Sequence, residues 1–294
     1  MDIRVLKYFL AVAKNENISR AAEELHLTQP TLSRQLVDLE NELGTVLFER
    51  GKRRTILTEA GMFLKMRAQE IVTLSDKTVA QFLNADTVTE GDVYIGCGET
   101  EGMREIIRAV KEIHEAYPRV RFHLTSGNKE FVLDQLKKGI LDFGVLCCSV
   151  PPVEYNYLKI PHEDVWGLFI HRLNPLTKKN GIAPEDLRNE PLIVSRQAME
   201  SKEFDHWLGY EADKLNIVGT YNLAFNAAFF TEQGFGSLLG LQGLIPTETV
   251  YRQEILFRPL EPKLLLGNYI VWKKGQAFSR LGNMVAKCFK KAFV

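Results

Sequence analysis

Apolar residues recur every three or four positions through the first part of this chain, and the rhythm breaks at short polar or glycine-bearing turns. Positions 3, 6, 9, 10 and 13 predict a helix over 3–14 whose Leu6, Phe9 and Leu10 pack against Leu25 and Leu36. Ser19 reads as the N-cap of a short helix over 20–26, with Ala21, Ala22 and Leu25 turned inward. A tight turn at 26–28 leads to Thr28, a second N-cap, and Pro30 then sits in the first helical turn, where its missing N–H is harmless. Leu32, Leu36, Leu39 and Leu43, spaced four, three and four apart, share one face of that helix, and Gly44 closes it. Two short strands, 46–48 and 55–57, flank the segment 49–54. Thr58 caps a long helix over 59–84 with a stripe of Leu64, Ala68, Ile71, Val72, Ser75, Val79 and Phe82. Two covers suit that stripe: the same helix of a second copy, which is the expectation here, or the chain's own body.

Beyond a polar, glycine-containing hinge at 86–91 the pattern changes to short apolar strands alternating with helices. Strands over 93–97, 120–126 and 141–146, with helices over 103–116 and 131–138 between them, predict a parallel sheet covered by helices. The theme repeats with strands at 168–170, 192–194, 215–220 and 237–241 and helices at 203–210 and 222–233. A strand at 264–272 and an amphipathic helix at 277–292 return to the first lobe. The expected domains are 1–58, a linker helix and hinge over 59–90, and a two-lobed α/β domain over 91–294, with lobe I at about 91–161 and 268–294 and lobe II at about 162–267.

Composition narrows the function. The 294 residues carry 37 basic and 37 acidic side chains, so no broad cationic coat is available for nucleic acid. Residues 1–58 hold nine Lys and Arg against eight Asp and Glu, so a positive field has to come from local clustering. Four of the five residues from Arg50 to Arg54 are cationic, with Gly51 permitting the turn. No apolar run approaches a membrane span, and the N-terminal segment is an amphipathic helix rather than a signal peptide, so the expected location is the cytoplasm. The four cysteines show no metal-ligand spacing; no metal or cofactor is expected, and a reducing compartment is.

The face opposite the leucines of helix 29–43 suits DNA. It presents Pro30, Arg34 and Asp38, flanked by Thr31 and Ser33, with Gln29 at the start. Recognition helices offer their N-terminal residues to base edges in the major groove, where Gln pairs with adenine and Arg with guanine. The run AAEELHLTQPTLSRQLVDLENELGTVLFER, followed by LTEAG, resembles the N-terminal domain of LysR-type transcriptional regulators. That resemblance implies a mainly-α winged helix-turn-helix with a long linker helix, followed by a two-lobed α/β domain similar to periplasmic binding proteins. Looser phrases, KKGILDFGVL and EQGFGSLLGL among them, extend it over the C-terminal part. It places DNA contacts at Gln29, Pro30, Thr31, Ser33 and Arg34 and phosphate contacts at Arg50, Lys52, Arg53 and Arg54. Many members carry Ala where this chain has Thr31. The implied protein is a sequence-specific, promoter-binding regulator, a homodimer or homotetramer modulated by a small-molecule effector.

Open α/β sheets bind ligands beyond the carboxyl ends of their strands, where helix N-termini point. The residues at those places are Gly98, Glu99, Thr100, Asn128, Cys147, Ser195, Arg196 and Asn222. Many relatives have Ser or Thr at the position of Gly98, and here Glu99 and Glu101 follow it. Both carboxylates suit a helix N-terminus; either of them, turned into the cleft, would disfavour an anion. Adjacent Cys147 and Cys148 raise a redox role, and Cys147 with His162 an enzymatic one, but no GxSxG, HExxH, phosphate-loop or dinucleotide fingerprint supports catalysis. A small-molecule binding protein with a vestigial DNA-binding domain is the alternative.

Overall fold

The computed structural model describes residues 1–51, 54–83, 90–148, 151–199, 201–246, 254–276 and 278–293, without the side chains of 50 and 80–83. The chain divides into two compact units, Met1–Ala85 and Asp86–Val294.

The first unit runs α1 (Ile3–Asn15), α2 (Ile18–Glu24), α3 (Gln29–Leu43), a hairpin of β1 (Phe48–Arg50) and β2 (Thr55–Leu57), and α4 (Glu59–Leu83). Leu6, Phe9, Ala21, Leu32, Leu36 and Leu39 form its buried centre, closed by Leu47 and Phe48 from the hairpin. Three local expectations change. Asn17, not Ser19, caps α2: its side chain accepts from the Arg20 N–H at 3.0 Å, because the helix begins earlier than expected, at Ile18. Thr28 occupies the cap position of α3, but its hydroxyl pairs with that of Thr31 at 2.8 Å and caps no backbone N–H. Leu43 is 40% exposed, since the buried cluster ends at Leu39, and Val46 is exposed and precedes β1. Gly44 closes α3 in the left-handed conformation at φ 66°.

The first half of the stripe on α4 is put to a different use from the one expected. Leu64 and Ala68 are buried, and Ile71 and Val72 half-buried, in the same cluster as α1, so the chain covers this part of the stripe itself. Val79 stays exposed, and the side chain of Phe82 lies outside the described residues. The helical period sets a second apolar group on the other side of α4: Met62, Phe63, Met66 and Leu74, all exposed. Thr58 starts the helix, its Oγ1 accepting from the Gly61 N–H at 3.0 Å. A Cβ on Gly61 would stand 2.2 Å from the Leu47 carbonyl oxygen, so the helix meets the wing only through a bare backbone. Gly61→Val is expected to cost about 2 kcal/mol or more by overpacking a backbone contact that has no room to give. Thermal unfolding of the purified variant checks it, and an unchanged Tm would contradict it.

The second unit holds one mixed sheet in the order β4-β3-β5-β11-β6-β9-β7-β8, with β10 also paired to β6. Its elements are β3 (Glu90–Cys97), α5 (Met103–Ala116), β4 (Arg119–Ser126), α6 (Lys129–Lys137), β5 (Phe143–Cys147), β6 (Tyr155–His171), β7 (Leu192–Ser195), α7 (Arg196–Met199), α8 (Lys202–Leu208), β8 (Ile217–Tyr221), α9 (Ala224–Glu232), β9 (Ser237–Leu241), β10 (Ile255–Pro259), β11 (Leu265–Lys273) and α10 (Arg280–Phe293). Strands β3, β4 and β5 are parallel, as are β7, β8 and β9. In lobe I, α5 and α10 bury Ile106, Ile113, Val285 and Phe289 against one face of the sheet, and α6 covers the other with Val132 and Leu136. In lobe II, α8 packs Phe204 and Leu208 on one face and α9 packs Ala224, Ala227 and Ala228 on the other. The expected strand at 168–170 is the end of a 17-residue strand, β6. Its first part pairs antiparallel with β11 in lobe I and its last part with β9 and β10 in lobe II, so β6 crosses between the lobes near Asp164 and Val165.

Candidate functional site

Two surfaces carry the chemistry, one in each unit. On the first, packing turns Leu32, Leu36 and Leu39 of α3 inward, which forces the other face out. Gln29, Pro30, Thr31, Arg34 and Asp38 are exposed and Ser33 is half-buried. The N-terminal half of the helix therefore offers a hydroxyl and a guanidinium on one side and an amide at its start. The hairpin follows directly. Glu40 of α3 holds its entrance, its Oε1 accepting from the Leu47 N–H at 2.7 Å and the Phe48 N–H at 3.2 Å. Arg54 is exposed, with Nη1 3.3 Å from Oε2 of Glu16. Lys52, Arg53 and the side chain of Arg50 lie outside the described residues.

Because one carboxylate satisfies two backbone donors here, Glu40→Ala is expected to destabilise the first unit by about 2 kcal/mol, with Glu40→Gln recovering most of the loss through its remaining oxygen. Paired thermal melts check this; equal losses for the two variants would show that the hydrogen bonds are not the cause.

The second surface is a cavity of about 410 Å³ at the carboxyl ends of the strands in both lobes. Of the expected ligand residues, Gly98, Glu99, Asn128, Cys147, Ser195 and Asn222 line it. Thr100 and Arg196 do not. Thr100 is buried and donates its hydroxyl proton to Asp164 Oδ2 at 2.6 Å, while Arg196 is exposed at the start of α7. Glu99 reaches from lobe I to lobe II, where its Oε2 accepts from the Ala224 N–H at the start of α9. Glu101 instead pairs with Arg104 one helical turn on. Asn128 caps α6, its Oδ1 accepting from the Phe131 N–H at 3.0 Å.

Residue-by-residue reading of the chain missed several walls. Trp166 enters from β6, Glu203 from α8, and Leu241, Leu244 and Leu266 supply apolar surface. Their only sequence signal was an apolar or acidic residue near a strand end, which does not separate a wall from a core or a solvated face. Tyr221 donates to the Leu239 carbonyl at 2.7 Å, and burial, followed by the charge of Glu99, pushes its phenol up.

Below the cavity Asp164 is 2% exposed and gathers three partners. Its Oδ2 accepts from Thr100 and from Asn268 Nδ2 at 2.9 Å, and its Oδ1 lies 3.1 Å from His162 Nε2. Asn268 Oδ1 in turn faces the Cys147 thiol at 3.3 Å. Burial first, and then the negative charge of Asp164, push the Cys147 thiol up, which keeps it protonated and poorly nucleophilic. Burial raises Cys148 as well. Among the described residues no hydrogen bond joins Cys147 to His162, and no group of three or more His, Cys, Asp or Glu is placed to hold a metal ion. No helix among them is long and apolar enough to cross a membrane.

The first unit is thus a helix-turn-helix with a wing, and the second a two-lobed α/β unit with a cleft at its strand ends. Residues 3–62 match the family model described as bacterial regulatory helix-turn-helix protein, lysR family, and residues 87–292 match the LysR substrate binding domain. The chain belongs to the LysR family of transcriptional regulators. It is 32% identical over 215 residues to the HTH-type transcriptional regulator AlsR of Bacillus subtilis, a match covering 70% of this chain and 68% of that protein. It is 29% identical over 195 residues to the hydrogen peroxide-inducible genes activator of Dickeya chrysanthemi; that match covers 66% of this chain and 63% of the relative, less than two thirds of its length. Among solved structures it resembles CbnR, a LysR family transcriptional regulator, with a TM-score of 0.74, 21% identity and full coverage of both chains. The same regulator complexed with its target DNA superposes with a TM-score of 0.72 at 21% identity, over 99% of this chain and 100% of that one.

Proposed function

We propose that this chain binds promoter DNA as a dimer or tetramer of itself through paired winged helices, and that a small molecule in the cleft changes that binding. The observation that supports it best is the exposed N-terminal half of α3, Gln29 to Arg34, opposite the buried Leu32, Leu36 and Leu39, which is where a recognition helix reads bases. Self-association draws on α4, where Met62, Phe63, Met66 and Leu74 remain exposed after the chain has covered the other side of the helix. Effector control follows from linkage: a ligand bridging two lobes stabilises one arrangement of them, and a regulator whose DNA affinity differs between arrangements responds to it. The cleft is read as a binding site without catalysis, and the cytoplasm as the place of action.

Fluorescence anisotropy of the purified protein on its own upstream DNA, with random DNA of equal length as control and salt varied, tests the reading. A strong preference for the upstream fragment, with affinity falling as salt rises, is the expected result. Equal, weak and salt-sensitive binding to both fragments would instead favour a ligand-binding protein whose helix-turn-helix is vestigial.

A further inference from the structure

The charge around the cleft says what kind of molecule it takes. Three carboxylates, Glu99, Glu130 and Glu203, stand among its described lining residues against one ammonium, Lys129. Asp164, buried behind the lining and close enough for its charge to act on Cys147, adds a further carboxylate nearby. Helix N-termini are the usual anchors for an anion in such a cleft, and the four that begin among its lining residues already have a side-chain acceptor. Ser195 for α7 and Ser201 for α8 accept from the Ala198 and Phe204 N–H groups. The Glu99 carboxylate sits on the Ala224 N–H of α9, a helix whose own cap residue, Leu223, makes no side-chain cap bond. Asn128 occupies the start of α6. An incoming carboxylate would have to displace Glu99 from α9 and then sit beside it, an unfavourable like-charge contact in a half-enclosed site.

A second observation points to a ligand independently. Gln197 lines the cavity, and its Nε2 is buried with no hydrogen-bond partner among the described residues. A buried amide N–H without an acceptor is costly, and a turn of the Gln197 side chain that brings Nε2 to the cavity surface would let a ligand oxygen remove the cost. Tyr221 has committed its proton to Leu239, so toward the cavity its oxygen is an acceptor only. Trp166, Leu241, Leu244 and Leu266 give the remaining wall an apolar surface.

We propose that the cleft takes a protonated amine carrying a hydroxyl or carbonyl oxygen and an apolar body, anchored by the Glu99 carboxylate, and that it turns away carboxylate ligands. The inference rests on reading this cavity as the effector site. Glu99 is suited to both roles at once: Oε2 holds α9 across the cleft, while Oε1 is left for the ammonium. An amine seated there would strengthen the bridge between the lobes, and an anion would break it.

The test is calorimetry and thermal shift on the full-length protein with matched probes. Leucinamide is set against 4-methylpentanoate, and tyramine against 3-(4-hydroxyphenyl)propionate. The amines are expected to bind and raise the melting temperature, and the acids to do neither. Glu99→Gln keeps an oxygen for the Ala224 N–H and should weaken the amines about tenfold or more by removing the charge. Glu99→Ala vacates the start of α9 and should lose the amines and gain the acids. Glu203→Gln, at an exposed position on α8, should weaken the amines severalfold and gives a second reading if the Glu99 variants do not fold. Acid binding to the wild-type protein without amine binding overturns the proposal. So does binding of neither set, or amine affinity that is unchanged in both Glu99→Gln and Glu203→Gln. Upstream-DNA anisotropy on the same samples separates the two levels: intact DNA discrimination without amine binding removes this inference alone, and amine binding without DNA discrimination removes the regulator reading alone.

Discussion

Asp164→Ala is expected to destabilise the C-terminal unit by about 3 kcal/mol, through the two buried donors it leaves without an acceptor. The Thr100 hydroxyl and Asn268 Nδ2 both end on Asp164 Oδ2, and Thr100 and Asn268 are 8% and 0% exposed, so water does not readily replace the missing oxygen. The effect should spread further. Thr100 also receives the Gly102 N–H at 2.9 Å ahead of α5, and Asn268 receives the Cys147 thiol at the cavity wall. Asp164 lies where β6 passes from one lobe to the other, and Asn268 lies at the irregularity in the β11 pairing beside it. The network thus ties the cleft floor to the crossing strands. Urea unfolding of the full chain, followed by near-UV circular dichroism of its three tryptophans, Trp166, Trp207 and Trp272, all in this unit, measures the cost, and Asp164→Asn should lose less because one oxygen acceptor remains. A neutral Asp164→Ala would show that these donors find other partners and that the network does not hold the lobes.

Arg34→Ala should reduce the preference for target over random DNA by roughly 10- to 100-fold, the discrimination of about 1–3 kcal/mol that a bidentate guanidinium contact to a base provides. The expectation rests on place: Arg34 is exposed on the same side of α3 as Pro30 and Thr31. Affinity for random DNA should fall much less, since Arg34 is assigned to base edges and not to phosphates. Neutralising Lys52 or Arg53 in the wing should do the opposite, weakening target and random DNA alike and lowering the salt slope by about 0.9 for each phosphate no longer neutralised. Competition anisotropy at several salt concentrations distinguishes the two patterns. Equal weakening on target and random DNA for Arg34→Ala would place that side chain on the backbone.

The exposed face of α3 was legible in the chain because a helix of period 3.6 leaves little choice. Once Leu32, Leu36 and Leu39 are inside, Pro30, Thr31 and Arg34 must be outside, and Gln29 is exposed because it begins the helix. Six of the eight expected ligand positions line the cavity for a related reason: parallel strands present their carboxyl ends together, so the residues after each strand converge. The exceptions are a long-range matter. The Thr100 hydroxyl is captured by Asp164, 64 residues away, and nothing near Thr100 in the chain announces that partner. Likewise β6 was only partly visible. Residues 155–164 are largely polar and contain Pro161, and they form a strand because β11 supplies the pairing.

Local order along the chain determined the helices, the alternating β and α segments, the turn at Gly44 and the outward face of α3, because these follow from side-chain periodicity and from which residues tolerate which backbone angles. Tertiary structure alone decided three things: that α4 spends the first half of its stripe on α1, that Glu99 rather than Glu101 crosses the cleft, and that Asp164 gathers the hinge strands. Each of these depends on which distant surface or donor is within reach of a side chain. A carboxylate next to a strand end has the same local chemistry whether it pairs with an arginine one turn away or caps a helix 125 residues further on, and only the packed chain selects between them.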